Sequence, residues 1–408
     1  MPTADFPGTP EERLARLRTV PGARPVLAAL EGEEEVHLVG GAVRDLLLGR
    51  TPRELDLVVA GDAVAVARRA AERLGGTVLA HPRFGTATVR AGSSAFDLAG
   101  ARAARYERPG ALPDVTLGAS LADDLARRDF SVNAIAMRLA DGELTTWPGA
   151  LGDLRAGVLR VLHDQSFVDD PTRLLRLARY GARLGFEPDA QTAALADAAV
   201  AAGATETVSG ERLGAELRLL AREPQPSALA ALERHATGRT VLGPGFSVDP
   251  ALVTAAAAHA PPDARPDLVA LAATLRGIER EELAARLRAL AYPAAEATAL
   301  VAAATVERLR PALERATRRS EVDVMLAREP PEAAALAAAL GMGPPGAIDA
   351  WRAGDRHRRL AITGDDLLAA GLAGPAVGVG LRGARAAMLD GAAPTAEAQL
   401  AAALAAAT

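Results

Sequence analysis

The chain has 408 residues and a net charge of −5, with 50% hydrophobic but only 3% aromatic residues. That apolar share is mostly Ala, Leu and Val, which favours helices and argues against an all-β chain. Charged residues at 24% argue against wholesale disorder. With neither cysteine nor lysine present, disulfides, thiolate metal sites, cysteine nucleophiles, a P-loop lysine and a Schiff base are excluded.

All 46 basic residues are therefore Arg, and nucleic-acid contact would need local Arg clusters. Residues 1–18 show no apolar signal region, and the longest Ala-rich stretches fall short of a membrane span. A soluble cytoplasmic protein is the expectation.

In chain order, Val36–Val39 reads as an apolar strand, Gly40-Gly41 as a tight turn, and 42–48 as a helix closed by Gly49. A strand over 55–59, a helix over 63–74 and strands over 77–80, 84–89 and 95–98 follow. This is an α/β head of roughly 150 residues on a mixed sheet. From about residue 154 strand signals fade, and the rest reads as short helices broken by Pro and Gly. The fold class is thus α+β, a sheet-based head followed by an all-helical remainder.

Four segments carry candidate chemistry. In Gly40-Gly41-Ala42-Val43-Arg44-Asp45, a strand passes through two glycines into a helix, leaving backbone N–H groups free at a positive helix end. Glycine lets a phosphate approach there, and Arg44 adds a fork matched to phosphate oxygens. The spacing is not that of a dinucleotide fingerprint, and an ordinary strand–turn–helix corner has the same form.

In Glu54-Leu55-Asp56, alternation places two carboxylates on one face of a strand. Their mutual repulsion would be relieved by Mg²⁺, an ion that prefers oxygen ligands completed by water and phosphate. Asp97, on another predicted strand, would be a third carboxylate. A solvated edge strand is the alternative reading.

The third segment is Arg127-Arg128-Asp129-Phe130-Ser131-Val132-Asn133, which contains the chain's only asparagine. The fourth is Asp169-Asp170-Pro171-Thr172-Arg173, continuing through Arg176, Arg179 and Arg183. A helix over 170–184 would gather the four Arg on about a third of its circumference, opposite Leu174, Leu175, Ala178 and Ala182. Few acids stand at i±4 to balance that stripe. His163-Asp164 lacks further ligands for a metal site and reads as structural.

Taken together and in order, these segments resemble the bacterial class II tRNA nucleotidyltransferases and poly(A) polymerases, from about Val36 to Phe186. A weaker likeness to the family's tail begins at Ile362-Thr363-Gly364-Asp365. The resemblance implies that Gly40, Gly41 and Arg44 hold a nucleotide triphosphate. Glu54 and Asp56 would hold catalytic Mg²⁺, with Asp97 as the third catalytic carboxylate. Arg128 would contact the incoming nucleotide, with Asp129 and Asn133 structuring its loop. Asp170 and Arg173 would read the base of ATP or CTP, and Arg176 and Arg179 would brace the site.

The implied partners are a tRNA 3′ end and ATP and/or CTP, with no membrane and no protein partner. The implied reaction is addition of the terminal A or the whole CCA. CC-only addition and poly(A) synthesis rank lower, and the alternative from another class is a non-catalytic tRNA-binding protein. One departure stands out: Glu54 occupies a position where the family normally has Asp.

The expected domains are an extension (1–25), a head (26–153), a neck that reads the base (154–222), a body (223–330) and a tail in contact with tRNA (331–408). Residues 100–116, rich in Gly and Pro, resemble the family's flexible loop. Arg352, Arg356, His357, Arg358 and Arg359 form a basic cluster in the tail.

Overall fold

The computed structural model describes residues 8–92 and 94–408. Two units divide at Ser209 and Gly210. The first seven residues of the expected extension lie outside the described part.

The first unit opens with α1 (Pro10–Leu17), begun by a capping box in which Thr9 and Glu12 satisfy each other's backbone N–H, and continues into α2 (Ala23–Ala29). Leu14, Leu17, Val20 and Ala23 are buried in the same core as the sheet, so this segment is part of the head.

Strand β1 (Val36–Val39) leads to α3 (Gly41–Leu47), and β2 (Leu57–Val59) to α4 (Ala63–Leu74). Helix α4 is capped at its start by Asp62 and ended by left-handed Gly75. Strands β3 (Thr77–His81), β4 (Thr86–Ala91) and β5 (Ser94–Gly100) form a meander. A separate ladder pairs β6 (Arg102–Arg105) with β7 (Asp114–Leu117). It lies in the stretch expected as a flexible loop.

After α5 (Leu121–Ala126) the chain returns to the sheet as β8 (Ile135–Arg138) and β9 (Leu144–Thr146). The seven-stranded sheet has the order β3-β4-β5-β2-β1-β8-β9. The β2–β5 pair is parallel and the other neighbours antiparallel, so the sheet is mixed as expected. Sequence reading passed over β8 and β9 because β8 is buried along its first three residues and shows no alternation.

Helix α6 (Ala150–Ala156), a short parallel pair of β10 (Val158–Leu159) with β11 (Glu187–Pro188), and helices α7 (Ser166–Asp169), α8 (Thr172–Leu184) and α9 (Ala190–Ala201) complete this unit. Helix α8 starts two residues later than the expected 170–184, because Asp170 holds non-helical backbone and accepts the N–H of Thr172 on its carboxylate at 3.1 Å.

The second unit runs from Gly210–Ala221 to Ala396–Ala407 and is helical throughout its described secondary structure. Its Ala-rich helices pack closely at glycines: a Cβ on Gly214 would lie 1.9 Å from the Leu290 carbonyl. Among the described residues no helix is long and apolar enough to cross a membrane.

Candidate active site

The site begins at the end of β1. Gly40 adopts φ +67°, a left-handed value natural to glycine, and its N–H donates to the Ile135 carbonyl at 2.9 Å. A Cβ there would lie 2.6 Å from Arg128 Nη1. Gly40 is thus required by the turn, and its bare Cα also leaves room for the guanidinium lying over it.

Arg44 sits differently from what the sequence suggested. It is 1% exposed, its Nε and Nη2 donate to Asp45 at 2.9 and 2.7 Å, and its Nη1 donates to Asn133 Oδ1 at 2.6 Å. Its task in the structure is to fix Asn133. The amide nitrogen of Asn133 donates to Asp129 Oδ1 at 2.9 Å, which explains why one asparagine survives in this composition: a side chain that accepts on one end and donates on the other joins an Arg to an Asp.

Asp129 is buried and also accepts both Nε and Nη2 of Arg176, at 2.8 and 2.6 Å. Burial would raise its carboxyl, but Arg176 and Asn133 outweigh it and hold it far below the usual carboxylate range. The acid that balances the stripe on α8 therefore comes from another segment, beyond the reach of i±4 counting.

That stripe is not a solvated face. Arg173 and Arg179 are buried. Arg173 Nη1 donates to Ser166 Oγ at 2.5 Å and Nη2 to the Arg127 carbonyl at 2.8 Å. Arg44, Arg176 and Arg179 surround the Tyr180 ring, 5.0 to 5.4 Å from its centroid. Asp124, Ser166 and Tyr180 were missed from sequence. The signal for Asp124 was its position four residues before Arg128 on a helix. It is fully buried and accepts Arg127 Nη2 at 2.6 Å and Arg128 Nη2 at 2.8 Å. Burial raises its carboxyl, but Arg128 and Arg127 together bring it below the ordinary value.

The carboxylate group is more open. Strand β2 begins only at Leu57, and Glu54 lies in an exposed bend, so strand alternation does not set the Glu54–Asp56 relation. Asp56 precedes β2 with its carbonyl accepting the Val39 N–H at 3.0 Å. The parallel β2–β5 register, continued back one residue from Leu57 opposite Leu98, sets it beside Asp97. Asp97 accepts from Thr88 Oγ1 at 2.5 Å. Although Asp56 reaches solvent, burial and then the nearby Glu54 push its carboxyl up; Arg128 opposes this and Asp97 adds to it. Among the described residues no three acidic or histidine side chains are drawn closely enough to enclose an ion unaided.

One cavity of about 360 Å³ brings most of these residues together: Gly41, Asp56, Arg128, Asp129, Asn133, Asp170, Arg173, Arg176 and Tyr180 among its lining. Arg44 and Arg179 are not among the lining residues, and Glu54 and Asp97 lie outside it. Tyr106 and Pro113, from the turn between β6 and β7, close one side.

Residues 36–160 match the poly A polymerase head domain family. That stretch holds the turn over Gly40 and the cavity residues Gly41, Asp56, Arg128, Asp129 and Asn133, while Asp170, Arg173, Arg176 and Tyr180 follow it in the chain. The A-adding tRNA nucleotidyltransferase of Halalkalibacterium halodurans is 44% identical over 219 residues, 52% of this chain and 51% of the relative. The CC-adding tRNA nucleotidyltransferase of Deinococcus radiodurans is 41% identical over 249 residues, 57% of this chain and 65% of the relative. The alignment thus spans about half the length of the A-adding relative. A solved Thermotoga maritima CCA-adding enzyme complexed with tRNA_CCA matches with a TM-score of 0.77 at 27% identity, covering 97% of this chain and 98% of that one.

Proposed function

We propose that the protein is a template-independent nucleotidyltransferase that adds the terminal A, or the whole CCA, to the 3′ end of tRNA from ATP or CTP. The observation that carries this is the cavity in which Asp56, the Arg128 guanidinium, Asp170 and Arg173 face one space. It offers a carboxylate for the reacting end, a cation for phosphates, and an acceptor and a donor for a base edge. The likeness to A-adding, CC-adding and CCA-adding enzymes supports the same reading.

Asp170 would accept from the amine of adenine or cytosine, and Arg173 would donate to the neighbouring ring nitrogen. Guanine and uracil reverse both partners, so each contact becomes repulsive. Two of Arg173's nitrogens are anchored to Ser166 and to the Arg127 carbonyl, which sets the plane of the fork before a base arrives. Arg44 and Arg179 position this apparatus from behind and do not grip the triphosphate.

The residues fit Mg²⁺ by donor type: the crowding that raises the Asp56 carboxyl is the kind a cation relieves. Asp56, with Glu54 and Asp97, would hold it together with substrate oxygens, and bound there it would polarise the attacking hydroxyl and the phosphates. The reaction is in-line attack of the tRNA 3′-OH on the α-phosphate, forming the new phosphodiester and releasing pyrophosphate.

The test uses tRNA transcripts lacking A, CA or CCA, each incubated with one labelled nucleotide triphosphate and Mg²⁺, with product length read on a gel. A-only activity extends the first transcript alone with ATP, and full CCA activity extends all three. Extension of none would leave a tRNA-binding protein without turnover.

A further inference from the structure

A second cavity, also of about 360 Å³, is lined by Asp56 as well, together with Thr88, Asp97, Arg102, Arg127 and Arg128. Asp56, Arg127 and Arg128 line both cavities. Groups held in the two spaces would therefore face the same carboxylate and the same two guanidiniums. A transferase must present two substrates to one centre, and only one of these cavities carries Asp170 and Arg173.

Charge in the second cavity is incompletely matched on its cationic wall. Asp124 takes both Arg127 and Arg128. Arg102 forms no ion pair among the described residues. Its backbone is fixed in β6 opposite Leu117, and its carbonyl accepts Arg127 Nε at 3.1 Å. The Nε atoms of Arg102 and Arg128 are both buried without a hydrogen-bond acceptor. Those Nε atoms are closed off from solvent, so it is the rest of the Arg102 guanidinium, lining the cavity without an ion pair, that can meet an anion there, and a guanidinium is matched in shape to a phosphate.

We propose that this second cavity seats the 3′-terminal nucleotide of the RNA acceptor, with Arg102 gripping its last phosphodiester. The inference rests on the transferase reading above and adds a residue to it. The incoming nucleotide lies on the Asp170 side, the acceptor end on the Arg102 side, and the two meet at Asp56.

The experiment compares wild type, Arg102→Gln and Arg102→Lys on a tRNA transcript ending in CC with ATP. The same transcript with its last phosphodiester replaced by an uncharged methylphosphonate serves as a second substrate. Loss of one charge-assisted hydrogen bond should raise the KM for RNA about 10- to 100-fold in Arg102→Gln and leave the KM for ATP unchanged. Arg102→Lys, which keeps the charge but not the fork, should recover part of the loss. The slope of log KM for RNA against log salt should fall by about 0.7, the share of one phosphate on a single strand.

The methylphosphonate should penalise wild type and leave Arg102→Gln indifferent. An equal penalty in both proteins, or a wild type indifferent to the methylphosphonate, would overturn the assignment even if the Gln variant folded poorly. A rise in KM for ATP alone would also overturn it and give Arg102 to the triphosphate. Normal wild-type turnover with no response at Arg102 defeats this inference only. Absence of wild-type transfer to any transcript defeats the transferase reading and this inference with it.

Discussion

The two units bury charge in different ways. In residues 8–209 whole guanidiniums are buried: Arg44, Arg173 and Arg179, each at 6% exposure or less. In residues 210–408 the buried charged partners are acids, and their cations stay partly in water. Asp323 holds Arg385, and Asp355 holds Arg319; those arginine side chains are 28% and 55% exposed. Asp323 also accepts from Trp351 Nε1 at 2.8 Å.

Burying a cation is unfavourable unless every donor is met by good geometry. At Asp323 and Asp355 the second unit lessens that cost by leaving the cation partly in water. The first unit accepts it around one cavity, and there the Asn133 relay and the Tyr180 ring supply the partners. Buried arginine in this molecule therefore marks the site, whereas buried acid alone does not.

The largest expected effect comes from the carboxylate that lines both cavities. Asp56→Ala should lower nucleotide transfer by at least about a thousandfold, the scale of several kcal/mol of transition-state stabilisation. It should leave tRNA binding, measured by filter retention, largely intact. Unchanged turnover would remove the cavity from the chemistry.

Next is the buried network itself. Asp129→Asn leaves Arg176 without its carboxylate and should cost about 3 kcal/mol in urea unfolding at neutral pH. The Asp129 carboxyl is depressed in the folded state, so its stabilisation is complete above the ordinary carboxylate value of 3.8 and is lost as pH falls below it. The gap between wild type and variant should therefore narrow on acidification. A gap independent of pH would mean that Asp129 acts by shape and not by charge.

In the second unit, Asp323→Asn should cost about 2 kcal/mol of stability, since it weakens a paired acid whose cation keeps its water. It should leave the kcat for transfer unchanged. A loss of kcat comparable to that of Asp56→Ala would erase the contrast between the units.

The smallest effect is expected at Glu54. It stands in an exposed bend and not in a strand, so the backbone can take up its extra methylene. Glu54→Asp should shift kcat by less than about tenfold, with the change read against Mg²⁺ concentration. A hundredfold change, the size that an ångström of misplacement produces, would mean that this bend is held rigidly.

The sequence carried much of this, for reasons that are local. The turn at Gly40-Gly41 needs a positive φ, and glycine announces it. Helix α4 announces itself by Asp62 at one end and Gly75 at the other. The spacing of Arg173 and Arg176 follows from helical periodicity, and the resemblance over residues 36–186 takes in the stretch that matches the head-domain family. Strands β8 and β9 escaped notice because burial along β8 removes the alternation that pattern reading depends on.

Composition and order alone determined that this is a lysine-free, cysteine-free chain with a sheet-based head, a helical remainder and a glycine turn between β1 and α3. Only the tertiary structure decided what each charge does. It joined Arg44 to Asn133, balanced the α8 stripe with Asp129 from 47 residues away, and paired Arg128 with Asp124 over Gly40. Electrostatic partners are chosen by distance in space, and in a low-dielectric interior that choice outweighs anything visible at i±4.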